Sequence, residues 1–408
     1  MIALVKGRVR YALYDFKTGA VFSLNFLGMM IIYYLRNRIS NPWIICSLLS
    51  SLEGKPIYSS EDYKNVVEYL NHFSDIGLMD RIDEIQELDL ETKKSHSSEE
   101  MKLNFAWCEL THECNLRCLH CYADAGTKEV NELSIEKWKN IISQLVQAGV
   151  TSIQFTGGEI FLVRELLWQL VDFAISLGVE DIELYTNLTL LNQIDINNII
   201  SKKVRVATTI LGSCSEVHDS ITQNHGSFDK TIAAIKSLLE KEIKLRVAVI
   251  EMMQNENDIE KIYQLLESVG VRNYRNADQV RSAGRVNREM MSTKKINNSL
   301  AFIANKEAFE RNKIWNPCWA FKFAINSRGD VMPCVFTRNL KIGNVNSVSV
   351  LDIISSLQKY WKITKDQIDV CCDCEYKYLC FDCRAIPTNE GNLYGKCARC
   401  DYDPNRVE

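Results

Sequence analysis

The chain has 408 residues, with 48 Lys and Arg against 52 Asp and Glu for a net charge of −4, and it holds fifteen cysteines. That length allows two or three domains with ample core, and the charge balance advertises no polyanion-binding surface, so nucleic acid is not an expected partner. The amino terminus lacks an apolar run of signal-peptide length, and the most apolar window (20–35) is interrupted by Ser23 and Asn25 and too short to span a bilayer, so a cytoplasmic, non-membrane protein is expected.

Residues 8–25 read as two short strands with a turn at Lys17-Thr18-Gly19. Amphipathic helices are expected near 27–37, 42–52 and 61–76. This unit, 1–85, is winged-helix-like. The polar, charge-rich stretch at 86–104 has no period and reads as a linker. From 105 to 310 strand and helix alternate. The strands FAWCEL, VTSIQFTGGE, DIELYTN, VRVATTILG, KLRVAVIEM and VRNYRNADQV precede helical sequence or loops, including helices over 134–148 and 164–177. This pattern predicts an α/β fold, a partial (β/α)6 barrel of the TIM type, with ligands at the carboxyl ends of its strands. The region 311–408 is small and cysteine-rich, with helical sequence near 348–361.

In a reducing cytosol, clustered cysteines imply metal rather than disulfides. Only Cys46 and Cys214 lie far from any cluster, and both read as small buried hydrophobes. Cys114, Cys118 and Cys121 form C-x3-C-x2-C in the loop after the first barrel strand. Cys108 is a strand side chain. Three thiolates leave a tetrahedral zinc site one ligand short, although His112 and His120 could complete a zinc set. A 4Fe–4S cluster normally takes four cysteines, so three leave one iron open.

This loop resembles the radical SAM superfamily, whose signature is this spacing. The resemblance implies that the open iron chelates the amino and carboxylate groups of S-adenosylmethionine, and that the reduced cluster cleaves the sulfonium to a 5′-deoxyadenosyl radical. It also implies cofactor contacts from Thr156, Gly157, Gly158 and Glu159 in the next βα loop, where the Glu159 carboxylate receives the methionine ammonium. Asn187, Thr209 and His120 match further contact positions. The His218-Asp219 pair also matches relatives, and reads equally as a hydrogen-bonded loop pair.

Nine cysteines crowd the carboxyl end. Their arrangement resembles the SPASM extension of radical SAM enzymes, which implies two auxiliary 4Fe–4S clusters, three clusters in all. Carried over by position, Cys371, Cys374, Cys380 and Cys400 would hold the distal cluster, and Cys318, Cys334 and Cys383 the proximal one. The spacing from Cys380 to Cys383 is one residue shorter than usual, and no cysteine follows Cys318 closely. The proximal cluster could therefore keep an open iron, or Cys372 or Cys397 could complete it. In isolation the paired C-x2-C units read as zinc ribbons.

A winged-helix-like unit, a radical SAM core and a SPASM domain together resemble maturases of ribosomally made peptides, and YADAG after Cys121 resembles their sactipeptide and ranthipeptide synthases. The resemblance implies a precursor peptide whose leader binds residues 1–85, and a flavodoxin- or ferredoxin-like reductant. It implies thioether formation between a peptide cysteine and a carbon radical. Carbon–carbon crosslinking, epimerisation or side-chain oxidation, as in sulfatase maturation, and more distantly a zinc-binding winged-helix regulator, are the alternatives.

Overall fold

The computed structural model describes residues 1–52, 54, 58–88, 103–274, 277–292, 302–381, 383–385, 392–397 and 400–406. The chain divides into two units. Met1–Ser98, Lys295–Cys318 and Lys362–Glu408 make the first, and Glu99–Lys294 with Trp319–Trp361 the second.

The first unit begins with β1 (Ile2–Lys6), β2 (Tyr11–Asp15) and β3 (Val21–Leu24), then α1 (Phe26–Arg36), α2 (Pro42–Leu52), α3 (Ser60–Asp75) and β4 (Ile85–Leu88). The sheet order is β3-β2-β1-β4, antiparallel except for the β1–β4 pair. Local chemistry sets the helix starts. The Asn25 side chain accepts from the Gly28 N–H, and Ser59 with Asp62 forms a capping box. Period-two alternation then divides the strands between two cores. Ile2, Leu4, Leu13 and Leu24 cluster with Ile31, Leu35, Val66 and Phe73 of the helices. Ala3, Val5, Ala12 and Tyr14 face the other way and cluster with Phe309, Tyr376 and Tyr378. Because β1 is buried on both faces, it lacks the alternation of a half-buried strand. The expected strands therefore began at residue 8, later than the observed ones. β4 lies where the linker was expected to begin; residues 89–102 of that stretch are outside the described residues.

The second unit alternates as the sequence predicts: β5 (Phe105–Glu109), α4 (Ile135–Gln147), β6 (Ser152–Thr156), α5 (Arg164–Ser176), β7 (Asp181–Tyr185), α6 (Gln193–Lys202), β8 (Arg205–Ile210), α7 (Ser215–Thr222), α8 (Ser227–Glu240), β9 (Leu245–Glu251), α9 (Ile259–Ser268) and β10 (Asp278–Gln279). These six strands are parallel and lie in chain order. Residues such as Ile153, Phe155, Leu184 and Val206 are fully or nearly fully buried, as are Trp138 and Ile142 of α4 and Leu167 and Leu170 of α5. The opposite face of the strands is polar. Side chains bond across it: Gln154 to its in-register neighbour Glu183, Glu183 to its in-register neighbour Arg205, and Glu183 also to Arg246 of β9.

The chain continues with α10 (Lys306–Ile314) in the first unit. In the second, β11 (Lys322–Ile325), β12 (Asp330–Met332) and β13 (Gly343–Asn344) precede α11 (Val350–Trp361). β11 pairs parallel with β5, and β12 and β13 follow antiparallel, extending the sheet to nine strands. The segment 311–408 thus contributes to both units. Among the described residues, no helix is long and apolar enough to cross a membrane.

Candidate functional site: a cysteine loop at the carboxyl ends of the strands

The chain leaves β5 into a loop without regular helix or strand that carries Cys114, Cys118 and Cys121. Backbone bonds close it, from Cys114 N–H to the Gly126 carbonyl (2.9 Å) and from Gly126 N–H to that of His112 (2.9 Å). Within it, N–H groups point at sulfur: Leu116 N–H to Cys114 Sγ (3.4 Å) and Ala125 N–H to Cys121 Sγ (3.3 Å). Burial pushes the Cys114 thiol up to about 11 and the Cys118 thiol up to about 12, and nearby thiols add to both shifts. The three sulfurs thus lie within electrostatic reach of one another. Yet among the described residues no three His, Cys, Asp or Glu side chains converge as ligands of one ion. Zinc would need its sulfurs about 2.3 Å from a single centre. Three cysteines in one loop, one ligand short of a closed tetrahedral zinc site, suit an iron–sulfur cluster with one iron left open, whose positive charge would also offset the cost of ionising them. The donor set therefore fits an iron–sulfur group held by Cys114, Cys118 and Cys121.

The next loop explains the Gly-Gly pair. Gly158 N–H donates to the Thr111 carbonyl (2.7 Å) and Glu159 N–H to that of Glu113 (2.8 Å), so the loop after β6 lies directly on the cysteine loop. A Cβ on Gly158 would stand 2.1 Å from the Glu113 carbonyl oxygen, and Gly157 has φ +144°. Only glycine permits this approach. Glu159 is 0% exposed, and its carboxylate accepts from Phe161 N–H (3.0 Å), Thr186 Oγ1 (2.7 Å) and Asn187 N–H (2.9 Å). Burial pushes its pKa up, opposed by these bonds. A carboxylate offers about four lone-pair sites, and these bonds use three of them.

The other predicted contacts divide. Asn187 follows β7 and reaches the loop, its Nδ2 lying 3.0 Å from Asn115 Oδ1 and 4.0 Å from Cys114 Sγ. His120 lies inside the loop with Nδ1 buried and unpartnered, and burial holds its imidazole neutral, at about 4. The Thr156 hydroxyl meets Tyr122, and Thr209 Oγ1 lies 2.6 Å from the Tyr185 hydroxyl, on β8. Asp219 caps α8 through Gly226 N–H, Ser227 Oγ and Phe228 N–H, while His218 Nδ1 accepts from Leu211 N–H. These bonds account for the His-Asp pair structurally. Cys46 is buried, whereas Cys214 is half-buried at the start of α7.

Two further groups of residues meet at the site without a clear mark in the sequence. Glu109 ends β5 at 2% exposure, paired with Arg338 (2.6 Å) and hydrogen-bonded by Tyr122, whose ring lies under the Arg338 guanidinium. A charged residue closing an otherwise apolar strand was the available signal. Arg285, after β10, bonds to the cysteine loop and Gly284 lies close against it; the sequence SAGR carried only a bare Gly-Arg pair.

In the first unit, Cys374 lies near both Cys371 and Cys380. Burial raises the Cys374 thiol, and the other two add to it. The Tyr14 hydroxyl donates to the Glu375 carbonyl, and Arg8 N–H donates to that of Asp373, so the β1–β2 hairpin braces this cysteine turn. Cys400 lies in a turn with Cys397. Cys318 and Cys383 belong to the first unit and Cys334 to the second.

Comparison with known proteins agrees with this chemistry. Residues 108–267 match the radical SAM superfamily, and residues 317–401 match SPASM, an iron–sulfur cluster-binding domain. The antilisterial bacteriocin subtilosin biosynthesis protein AlbA of Bacillus subtilis is 27% identical over 319 residues, 73% of this chain and 70% of AlbA. Mycofactocin maturase MftC of Mycolicibacterium smegmatis is 30% identical over 40% of this chain and 41% of its own. Among solved structures, Streptococcus suis SuiB bound to S-adenosylmethionine superposes with TM-score 0.58 at 14% identity, covering 98% of this chain and 99% of SuiB. SuiB bound to its precursor peptide SuiA gives 0.57 at 14% identity, with coverages of 97% and 99%. The cysteine loop after the first strand of a parallel β/α array, the Gly-Gly-Glu turn laid against it and these matches together identify residues 108–267 as a radical SAM domain and residues 317–401 as a SPASM domain.

Proposed function

We propose that this protein is a maturase of a ribosomally made precursor peptide that joins a peptide cysteine sulfur to carbon as a thioether. Its cluster and S-adenosylmethionine, when bound, would supply a 5′-deoxyadenosyl radical able to take hydrogen from a carbon that no side-chain base could deprotonate. In this reading Cys114, Cys118 and Cys121 hold the cluster, the free lone-pair site of Glu159 receives the methionine ammonium, and Thr156, Gly157, Gly158, Asn187, Thr209 and His120 line the cofactor site. Cys371, Cys374, Cys380 and Cys400 would hold one auxiliary cluster, and Cys318, Cys334 and Cys383 another. A flavodoxin- or ferredoxin-like protein supplies electrons. The observation that carries the peptide assignment is the full-length likeness to SuiB, in a chain that also matches AlbA over most of both lengths. The MftC match keeps other SPASM peptide chemistries as outcomes of the test.

In this reading the leader berths on β3, one of the two edges of the four-stranded sheet. Its outer backbone groups can add one strand of extended peptide. Deleting residues 1–85 would be a poor test, because Ala3, Val5, Ala12 and Tyr14 cover Tyr376 and Tyr378. Placing proline within β3, as in Ser23→Pro, should instead weaken leader binding about tenfold or more in fluorescence anisotropy. Unchanged affinity would place the leader elsewhere.

A further inference from the structure

Arg285 lies in the turn after β10, the last of the six parallel strands, and is 20% exposed. Its Nη1 donates to the Cys118 carbonyl (2.7 Å), its Nη2 to the Ala125 carbonyl, and its Nε to Asp124 Oδ1 (2.6 Å). Its backbone N–H donates to the Cys121 carbonyl (3.1 Å). The residue before it has no room for a side chain: a Cβ on Gly284, at φ +60°, would stand 2.3 Å from the Cys121 oxygen and 2.5 Å from that of Tyr122. The loop after the last strand thus grips the loop after the first, at both ends of the Cys118–Ala125 segment.

We infer that the Gly284-Arg285 turn is a third part of the cluster site, and that Arg285 is its positioning residue. The bonds explain how. By taking the Cys118 and Ala125 carbonyls, the guanidinium fixes the orientation of the segment between them, including Asp124, which is held at φ +53°. In that orientation the Ala125 N–H points at Cys121 Sγ, 3.3 Å away. Such N–H···S bonds and a nearby cation favour electron-rich sulfur, so the same contacts that shape the loop ease reduction of a group bound there. The bidentate reach is specific to a planar fork: a lysine ammonium on its single stem cannot reproduce three bonds in fixed directions.

The inference rests on the cluster assignment alone and is independent of which bond the enzyme forms, so its test needs no peptide. Wild type, Arg285→Gln, Arg285→Lys and the triple variant Cys114→Ala/Cys118→Ala/Cys121→Ala are isolated anaerobically. The iron difference between wild type and the triple variant measures what this loop holds. Arg285→Gln should lose at least half of that difference while keeping the iron of the triple variant. The iron it retains should need a more negative potential for reduction and show an altered electron paramagnetic resonance spectrum. Arg285→Lys, which keeps charge and length and so guards against misfolding, should fall with Arg285→Gln. Iron, potential and spectrum at wild-type values in Arg285→Gln would overturn the inference. Full recovery in Arg285→Lys would also overturn it, by showing that a point charge suffices.

Discussion

Glu159→Gln probes the join between the cysteine loop, β6 and β7. Glu159 Oε1 accepts from Phe161 N–H and Thr186 Oγ1, and Oε2 from Asn187 N–H. In its better orientation a glutamine keeps its oxygen at the Oε1 place, leaving its NH2 facing the Asn187 N–H. One charge-assisted bond is lost, and two donors oppose each other in a site with no exposure. A charged hydrogen bond contributes about 1.5–3 kcal/mol, and a buried unpaired donor costs about 1–3 kcal/mol. Relief from burying a charge offsets part of this, since burial pushes the Glu159 pKa up. A net loss of about 2–3 kcal/mol follows, or a fall in Tm of about 5–10 °C for a unit of this size. Separately, losing the remaining lone-pair site should weaken S-adenosylmethionine binding about tenfold or more by isothermal titration of the reconstituted enzyme. A Tm within about 1 °C of wild type would refute the stability reasoning. Unchanged cofactor affinity in a folded variant would refute the ammonium assignment.

Arg338→Met leaves the Glu109 carboxylate buried without its cation, and calorimetry should show a loss of about 3–5 kcal/mol. Arg338→Met/Glu109→Gln should recover much of it. His218 gives a pH signature. Burial lowers its pKa to about 4, against about 6.5 unfolded. The unfolded state therefore takes up the proton first, so its contribution is full above about pH 6.5 and falls as the pH drops towards 4. Near pH 5 about 2 kcal/mol should be gone. Thermal melts of His218→Gln should show a shallower decline than wild type between pH 7 and 5, and parallel curves would contradict this.

The barrel was legible because its strands are apolar runs separated by amphipathic helices, and a period of that kind survives without tertiary information. The cysteine triplet and Gly-Gly-Glu were legible because their spacing is short. β1 was not: burial on both faces by two separate cores removes the alternation that would mark it. Nor was the second layer of the site. Arg285 meets Cys118 across 167 residues of sequence, and Arg338 meets Glu109 across 229. A lone arginine gives no sign of a partner that only chain closure supplies. Gly158 shows a subtler limit. A Cβ there would stand 2.1 Å from the Glu113 carbonyl oxygen, a close approach within the chain that the motif's spacing alone does not disclose.

The most direct test of the proposed chemistry is mass spectrometry of a short cysteine-containing peptide encoded beside the gene, after anaerobic incubation with the reconstituted enzyme, S-adenosylmethionine and a reductant. The account predicts a peptide lighter by two hydrogens per crosslink, with the affected cysteines closed to alkylation and deoxyadenosine formed alongside. Deoxyadenosine accompanied by peptide whose cysteines all remain alkylatable would contradict thioether formation.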